Sequence, residues 1–267
     1  MGHREADGRR GPTKDPRERF SGAAGGYARY RPGYPPTLVD WVATEAGVRP
    51  GDPVVDLGCG TGILTRLLAD REFEVVGVDP NEDMLAQARV AAGGGRPEYR
   101  QGDAEATGLP DRSVALVAVA QAFHWFDLEA AVAEIHRVLR PGGHAAALWN
   151  IRGESPFMTA YDALLRRFSS EYRVLESWEY TLEKLKGHPR VLSPRERWEN
   201  HAQRFDLEGL RGRAGTSSYV FRGVKDREGF DAALAALFDA QARDGVVEFP
   251  YRTVALVFAT AQGGGGS

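Results

Sequence analysis

Cysteine is nearly absent from this chain: Cys59 is the single one in 267 residues, which excludes a disulfide framework within the chain. Lysine is scarce too, confined to Lys14, Lys184, Lys186 and Lys225, so the basic charge is carried by arginine. It is slightly outweighed, with 34 basic against 37 acidic residues and a net charge of −3. No block of about five or six like charges occurs, so the electrostatic footprint of a nucleic-acid binder is missing. Arginine-bearing pieces such as ARYRPGYP read as solvated surface. No apolar run approaches the ~20 residues of a membrane span. Residues 1–20 are polar throughout, so no secretory signal is expected, and a cytoplasmic location is. Apolar content of 42% is ordinary for a globular chain, and the length suits one large α/β domain.

What the chain does have is a glycine triplet in an informative place. Residues 54–62 read VVDLGCGTG, a short apolar strand running into Gly58, Gly60 and Gly62 at alternate positions. A second apolar run, VVGVD, ends on Asp79. Strand, glycine turn, helix and second strand closed by a carboxylate form a nucleoside-binding half of a doubly wound sheet. The glycines let backbone approach a ligand where a Cβ would clash. The carboxylate at the end of the second strand can accept both ribose hydroxyls. Spacing separates the candidate cofactors. A dinucleotide fingerprint places its third glycine at the sixth position, where this chain has Ile63. Asp56, just before the loop, would repel a pyrophosphate but suits a ligand bearing an ammonium and a sulfonium, as S-adenosylmethionine does.

The rest of the chain alternates strands and helices. Residues 1–16 are charged and rich in turn formers, and are expected to be disordered. GGGGS at 263–267 looks like an engineered linker, leaving one domain over 17–262. Aromatics among turn formers at 20–36 suggest an ordered N-terminal lid, followed by a helix from about Thr37 to Ala46. Strands are expected at 54–56, 75–79, 98–101, 114–119 and 145–148, with intervening helices, so parallel neighbours joined by right-handed crossovers follow. The helix NEDMLAQARVAA opens on Asn81 as its cap, and LEAAVAEIHRVLR stops at Pro141-Gly142-Gly143. Residues 151–195 carry helical pattern without strands and are expected to form an inserted helical cap. A sixth strand (WENHAQRFDL), a helix and a long final strand close the chain.

Taken in order, VVDLGCGTG, GVDPNEDML, QGDAEATGLPDRS, AQAFHWFD and IHRVLRPGG resemble the class I S-adenosylmethionine-dependent methyltransferases. The nearest likeness is to the type 11 group that includes trans-aconitate methyltransferase-like proteins. YARYRPGYP and VEFPYRT extend the resemblance over about 20–260. It implies an α/β, Rossmann-like seven-stranded sheet in the order 3-2-1-4-5-7-6, strand seven antiparallel, with helices on both faces. It also implies roles. Asp56 and the Gly58, Cys59, Gly60, Gly62 loop would face the methionine part of S-adenosylmethionine. Asp79, followed by Pro80, would hold the ribose, and Met84 would pack on adenine. Asp103 would accept the adenine amino group, and the Ala104 amide would meet a ring nitrogen. The Ala120 carbonyl would reach the ammonium. Tyr27 and Arg31 in the lid would bind the methionine carboxylate.

Methyl transfer from a sulfonium is an in-line displacement, so the protein's first task is to hold a nucleophile on the sulfur-to-carbon axis in a dry pocket. His124 is the candidate general base, with the alternative that it only shapes its loop through backbone hydrogen bonds. Phe20, Tyr27, Phe123, His124, Trp125, Trp149 and Asn150 are the candidate acceptor contacts, with Phe126 on the same rim. Such aromatics suit a planar aromatic or heteroaromatic small molecule or face developing charge. No metal is expected, since His124 with Asp127 matches no standard ligand spacing. Nucleic-acid methylation lacks an NPPY-type motif after strand four. The arginine, alanine and glycine bias hints at a GC-rich bacterial source and natural-product tailoring, by a monomer or homodimer. A competing class is a methyltransferase-fold protein that binds the cofactor without turnover. A nicotinamide oxidoreductase is disfavoured by glycine spacing and by Asp56.

Overall fold

The structure, a computed structural model, describes residues 29–91, 93–172 and 177–261. The expectations for 1–16, for Phe20 and Tyr27 and for the 263–267 linker lie outside them. Helix α1 (Pro36–Ala46) leads into β1 (Pro53–Leu57), α2 (Ile63–Ala69), β2 (Glu74–Asp79), α3 (Glu82–Val90) and β3 (Glu98–Gln101). Then come β4 (Val114–Ala120), α4 (Leu128–Val138), β5 (Leu139–Arg152), α5 (Pro156–Phe168) and α6 (Ser177–Lys186). The long β6 (Val191–Phe205) and β7 (Val247–Thr260) enclose α7 (Leu207–Gly215), α8 (Ser218–Gly223) and α9 (Arg227–Gln241).

The sheet runs β3-β2-β1-β4-β5-β7-β6. The first five strands are parallel, and β7 is antiparallel to both β5 and β6, in the expected order. Side chains alternate across each strand, so adjacent residues serve opposite cores. Val54, Ala146 and Leu148 pack under α1 and α2, whereas Val55, Ala145, Ala147 and Trp149 pack under α4 and α6. A third core joins α5, α7, α8 and α9 to the outlying ends of β6 and β7 through Phe205, Phe249 and Tyr251.

Two expectations are corrected here. Pro141-Gly142-Gly143 does not separate helix from strand: β5 starts at Leu139, and these residues form a bulge inside it. Val114 pairs with Leu139 and Leu116 with His144, leaving the intervening residues out of register. Gly142 takes φ 77°, and a Cβ on Gly143 would stand 3.0 Å from the Ala115 carbonyl oxygen, so the bulge needs both glycines. Nor is 151–195 one cap. β5 carries on to Arg152 and β6 begins at Val191, its polar SPRERWE stretch tolerated because it is the sheet's outer edge. Within that span α6 drives Leu182 and Leu185 into the sheet core, while α5 joins α7, α8 and α9 in a separate helical layer.

Candidate functional site

The glycine loop sits where β1 ends, pinned to β2 by the Gly58 and Cys59 amides, which donate to the Val78 carbonyl at 2.8 and 3.1 Å. All three glycines have positive φ (67°, 55° and 73°), each for its own reason. A Cβ on Gly58 would stand 2.6 Å from the Ala122 Cβ, and one on Gly62 would stand 2.4 Å from the Tyr99 hydroxyl. A Cβ on Gly60 would meet nothing within 4 Å, because Gly60 faces the open cleft. The Gly60 and Asn81 amides each donate to Asp79, at 2.9 Å to Oδ2 and Oδ1. Burial raises the Asp79 pKa, and those two amides pull against the rise. Asn81 also caps α3, accepting from the Asp83 and Met84 amides.

Asp56 is the other carboxylate of the site, and it is only 1% exposed. Thr65 donates to its Oδ2 at 2.6 Å, while Oδ1 has no hydrogen-bond partner and belongs to a residue lining the cleft. Burial pushes its pKa up to about 7; the Thr65 hydroxyl pulls down and the charge of Asp79 adds to the rise. Burial likewise lifts the Cys59 thiol well above its usual range, leaving it a neutral wall residue. A buried carboxylate oxygen without a partner is costly, so a residue of this kind lining a cleft calls for a donor from a ligand.

Eleven of the expected residues line this one cleft: Arg31, Asp56, Gly58, Cys59, Gly60, Asp79, Pro80, Met84, Ala120, Trp125 and Asn150. Others do not. Phe123 and Trp149, both 1% exposed, stack toward each other in the sheet core at 6.3 Å, so their expected acceptor contact is replaced by packing. His124 lies on the short helical turn Phe123–Trp125 with its ring 4.7 Å from that of Trp125, and it does not line the cleft. Gly62, Asp103 and Ala104 are also outside the lining. Gly62 packs on Tyr99, and Asp103 forms an isolated bridge with Ala106. Asn150 lines the cleft, but its amide is engaged: Nδ2 donates to the Gly33 carbonyl at 2.9 Å, and Oδ1 accepts from Thr253 at 2.5 Å. Arg31 donates to the Thr216 carbonyl at 2.8 Å.

Sequence reasoning missed Tyr34, Thr61, Gln121 and Ala122. Gln121 adopts φ 57°, and its side chain donates to the Asn150 carbonyl at 2.8 Å, turning the chain across the mouth of the cleft. No side-chain type announces such a turn. Among the described residues no cluster of three or more His, Cys, Asp or Glu could hold a metal ion, and no helix is long and apolar enough to cross a membrane.

Comparison with known proteins agrees with this geometry. The family profile of a methyltransferase domain matches residues 55–147, the stretch from β1 into β5. A solved structure from Anaeromyxobacter dehalogenans, provisionally described as a type II methyltransferase, is 30% identical, covering 86% of this chain and 97% of that one at a TM-score of 0.63. The chain belongs to the class I S-adenosylmethionine-dependent methyltransferases. An uncharacterized methyltransferase of Mycobacterium tuberculosis is 46% identical over 135 residues, 51% of this chain and 53% of that protein. The ubiquinone biosynthesis O-methyltransferase of Pseudomonas aeruginosa is 35% identical over 112 residues, 40% of this chain and 48% of that protein. The matches thus span about half the length of these curated relatives. For a methyltransferase of this class the cofactor is S-adenosylmethionine, and the cleft is lined by two buried carboxylates, Asp56 and Asp79, beside the glycine loop.

Proposed function

We propose that this methyltransferase moves a methyl group onto a planar aromatic or heteroaromatic small molecule. The observation that carries the cofactor half of the reading is the buried, unpartnered Oδ1 of Asp56, a residue lining a cleft that also holds Asp79 and a glycine loop. When bound, S-adenosylmethionine supplies an electrophilic methyl carbon on a sulfonium. Asp56 would accept the ammonium, and Asp79, already oriented by two backbone amides, would accept the ribose hydroxyls. Met84, 4% exposed on the first turn of α3, offers a soft surface for adenine.

Trp125 and Phe126 line the cleft after β4, Phe126 close against Gly58, where a Cβ would stand 3.2 Å from its ring. They offer flat faces to an aromatic acceptor and to the positive charge on the cofactor side. The titratable carboxylates and thiol of the cleft are few, and the carboxylates would be engaged by the bound cofactor. Asp56, bonded to Thr65 on one oxygen, would meet the ammonium, and Asp79, held by two amides, the ribose; the Cys59 thiol is neutral. Catalysis by positioning therefore fits the cleft better than proton abstraction by a side chain, and acceptors whose nucleophile ionises readily, such as phenols, fit that chemistry. A relative named as an O-methyltransferase makes oxygen the acceptor atom to try first.

The test is calorimetric titration with S-adenosylhomocysteine, on the unmodified protein and on Asp79→Ala. Micromolar binding that collapses in the variant is expected, followed by turnover with members of a phenol, indole and heteroaromatic panel. Absence of binding to the unmodified protein would overturn the reading, and turnover confined to aliphatic acids would overturn its acceptor class.

A further inference from the structure

The helical layer beyond the cleft encloses two arginines with no carboxylate at ion-pair distance among the described residues. Arg213 is 4% exposed. Its Nε donates to the Tyr251 hydroxyl at 2.9 Å and its Nη1 to the Ser217 hydroxyl at 3.1 Å, and its guanidinium lies 5.0 Å from the Phe249 ring centroid. Its Nη2 makes no hydrogen bond to the described residues. Arg152 uses only Nη2, donating to the Tyr172 hydroxyl at 3.0 Å, and sits over the rings of Tyr172 and Tyr219. The nearest acid in this network, Asp162, reaches Arg152 through the Tyr172 hydroxyl and is itself paired with Arg166. The hydroxyl of Tyr161, a residue 1% exposed, has no hydrogen-bond partner among the described residues.

These groups share one field. Tyr161 and Tyr219 both interact electrostatically with Arg152 and Arg213. Burial alone would raise the Tyr219 phenol, yet Arg152 and Arg213, with a Ser217 hydrogen bond and the charge of Arg31, more than reverse this and leave it below its ordinary value. Asp162 is the counter-charge felt by half-buried Arg152, while buried Arg213 has no carboxylate partner among the described residues, which a protein interior seldom tolerates. A guanidinium fork left open in such a place matches a carboxylate or phosphate.

The position relates this cluster to the cleft. Asn150 of β5 lines the cleft, and Arg152, two residues further on, projects from the same face of the strand about 7 Å farther out. Arg152 is only half-buried, so the cluster is reached from its side. Opposite Arg152 on β7 is Tyr251, whose hydroxyl accepts from Arg213.

We propose that Arg152 and Arg213, with the hydroxyl of Tyr161, anchor an anionic group of the acceptor at the end remote from the methylated atom. This rests on the reading that the acceptor enters the cleft beside Trp125, and it adds that the acceptor carries a carboxylate or phosphate. Neither arginine touches the reacting atoms; both are positioning residues.

The experiment titrates benzoate, indole-3-acetate and phenyl phosphate, with benzamide and indole-3-acetamide as neutral partners, into the full chain with and without S-adenosylhomocysteine. Each acid is expected to bind at least about tenfold more tightly than its amide, and the comparison of carboxylate with phosphate names the head group. Arg152→Met and Tyr161→Phe are each expected to weaken the acids by about tenfold, with S-adenosylhomocysteine affinity unchanged within about twofold. Tyr161→Phe keeps the ring that packs on Phe157 and Phe249, so a folded variant is in hand even where an arginine change destabilises the layer. Acids and amides binding alike, no acid binding while S-adenosylhomocysteine does, or acid affinity untouched in both variants would each overturn the proposal. Acids bound without any response to S-adenosylhomocysteine would leave this site standing and sink the cofactor assignment instead.

Discussion

At the scale of single residues, Asp56 is the most informative side chain, because its burial couples ligand binding to protons. A pKa raised to about 7 means that the free protein carries this carboxyl largely protonated in mild acid. In the proposed role of Asp56 the cofactor's ammonium needs the carboxylate, so binding would release a proton. S-adenosylhomocysteine affinity is then expected to rise with pH up to about 7, by as much as about tenfold per unit, and to level off above it. Calorimetry in two buffers of different ionisation enthalpy at pH 6.5 counts the released proton directly. The sign for stability is the reverse. The folded state holds this proton more tightly than the unfolded chain does, so the Asp56 contribution is full below about pH 4 and is lost as pH climbs toward 7. Asp56→Asn is accordingly expected to raise the Tm of the ligand-free protein at pH 8 while binding is lost. A fall in Tm at that pH would mean that the carboxylate is held by a partner other than Thr65. His124 carries the opposite expectation. Since it does not line the cleft, His124→Ala should keep kcat within a few-fold, and a loss of about a hundredfold or more would place it in proton transfer after all.

At the scale of elements, the glycine loop separates folding from binding. A side chain at Gly60 meets only the cleft, so Gly60→Ala carries the left-handed backbone cost of roughly 1–2 kcal/mol and little else in stability. It should nonetheless block the ligand. Gly62→Ala carries the same backbone cost plus overlap with Tyr99, and should lower Tm more while the cleft-facing surface stays intact. Denaturation midpoints and S-adenosylhomocysteine titrations on the two variants check both halves; equal loss of Tm in the two would remove the distinction. This loop was legible in the sequence because glycine spacing and two flanking carboxylates report directly on backbone and charge. The strands were legible too, since buried parallel strands such as VALVAV are continuous apolar runs. Helices α7 and α8 were not: LEGLRGRAG has three glycines and no apolar stripe, and only burial of Leu210 and Ala214 against Phe249 and its neighbours makes it a helix. The aromatic rim was half legible for the same kind of reason. Composition put Phe123 and Trp125 in one loop, but the turn of that loop sends Trp125 to the cleft and Phe123 to the core.

At the scale of the whole molecule, Asn150 ties three parts together. Its Nδ2 donates to Gly33 in the segment before α1, and its Oδ1 accepts from Thr253 on β7 and from His201 on β6 at 3.1 Å. An acceptor at that position fixes the proton on the His201 ring nitrogen, and burial lowers the His201 pKa, so the imidazole stays neutral near pH 7. The segment it holds contributes Arg31, Pro32 and Tyr34 to the cleft and is also held by Gln203, which donates to the Tyr30 and Arg31 carbonyls. The sheet's last three strands thereby set the position of the segment that lines the cleft at the ends of β1, β2 and β4. Asn150→Ala strands a hydroxyl and an imidazole in the interior and is expected to cost about 1–3 kcal/mol of stability together with cofactor affinity. Asn150→Asp separates the two effects, because a carboxylate still accepts from Thr253 and His201 but cannot donate to Gly33. That variant should keep most of the stability, expose the amides of Tyr30, Arg31, Gly33 and Tyr34 to faster hydrogen exchange, and weaken S-adenosylhomocysteine binding. Exchange at those amides identical to the unmodified protein would show that Gln203 and the Arg31–Thr216 bond hold the segment without Asn150.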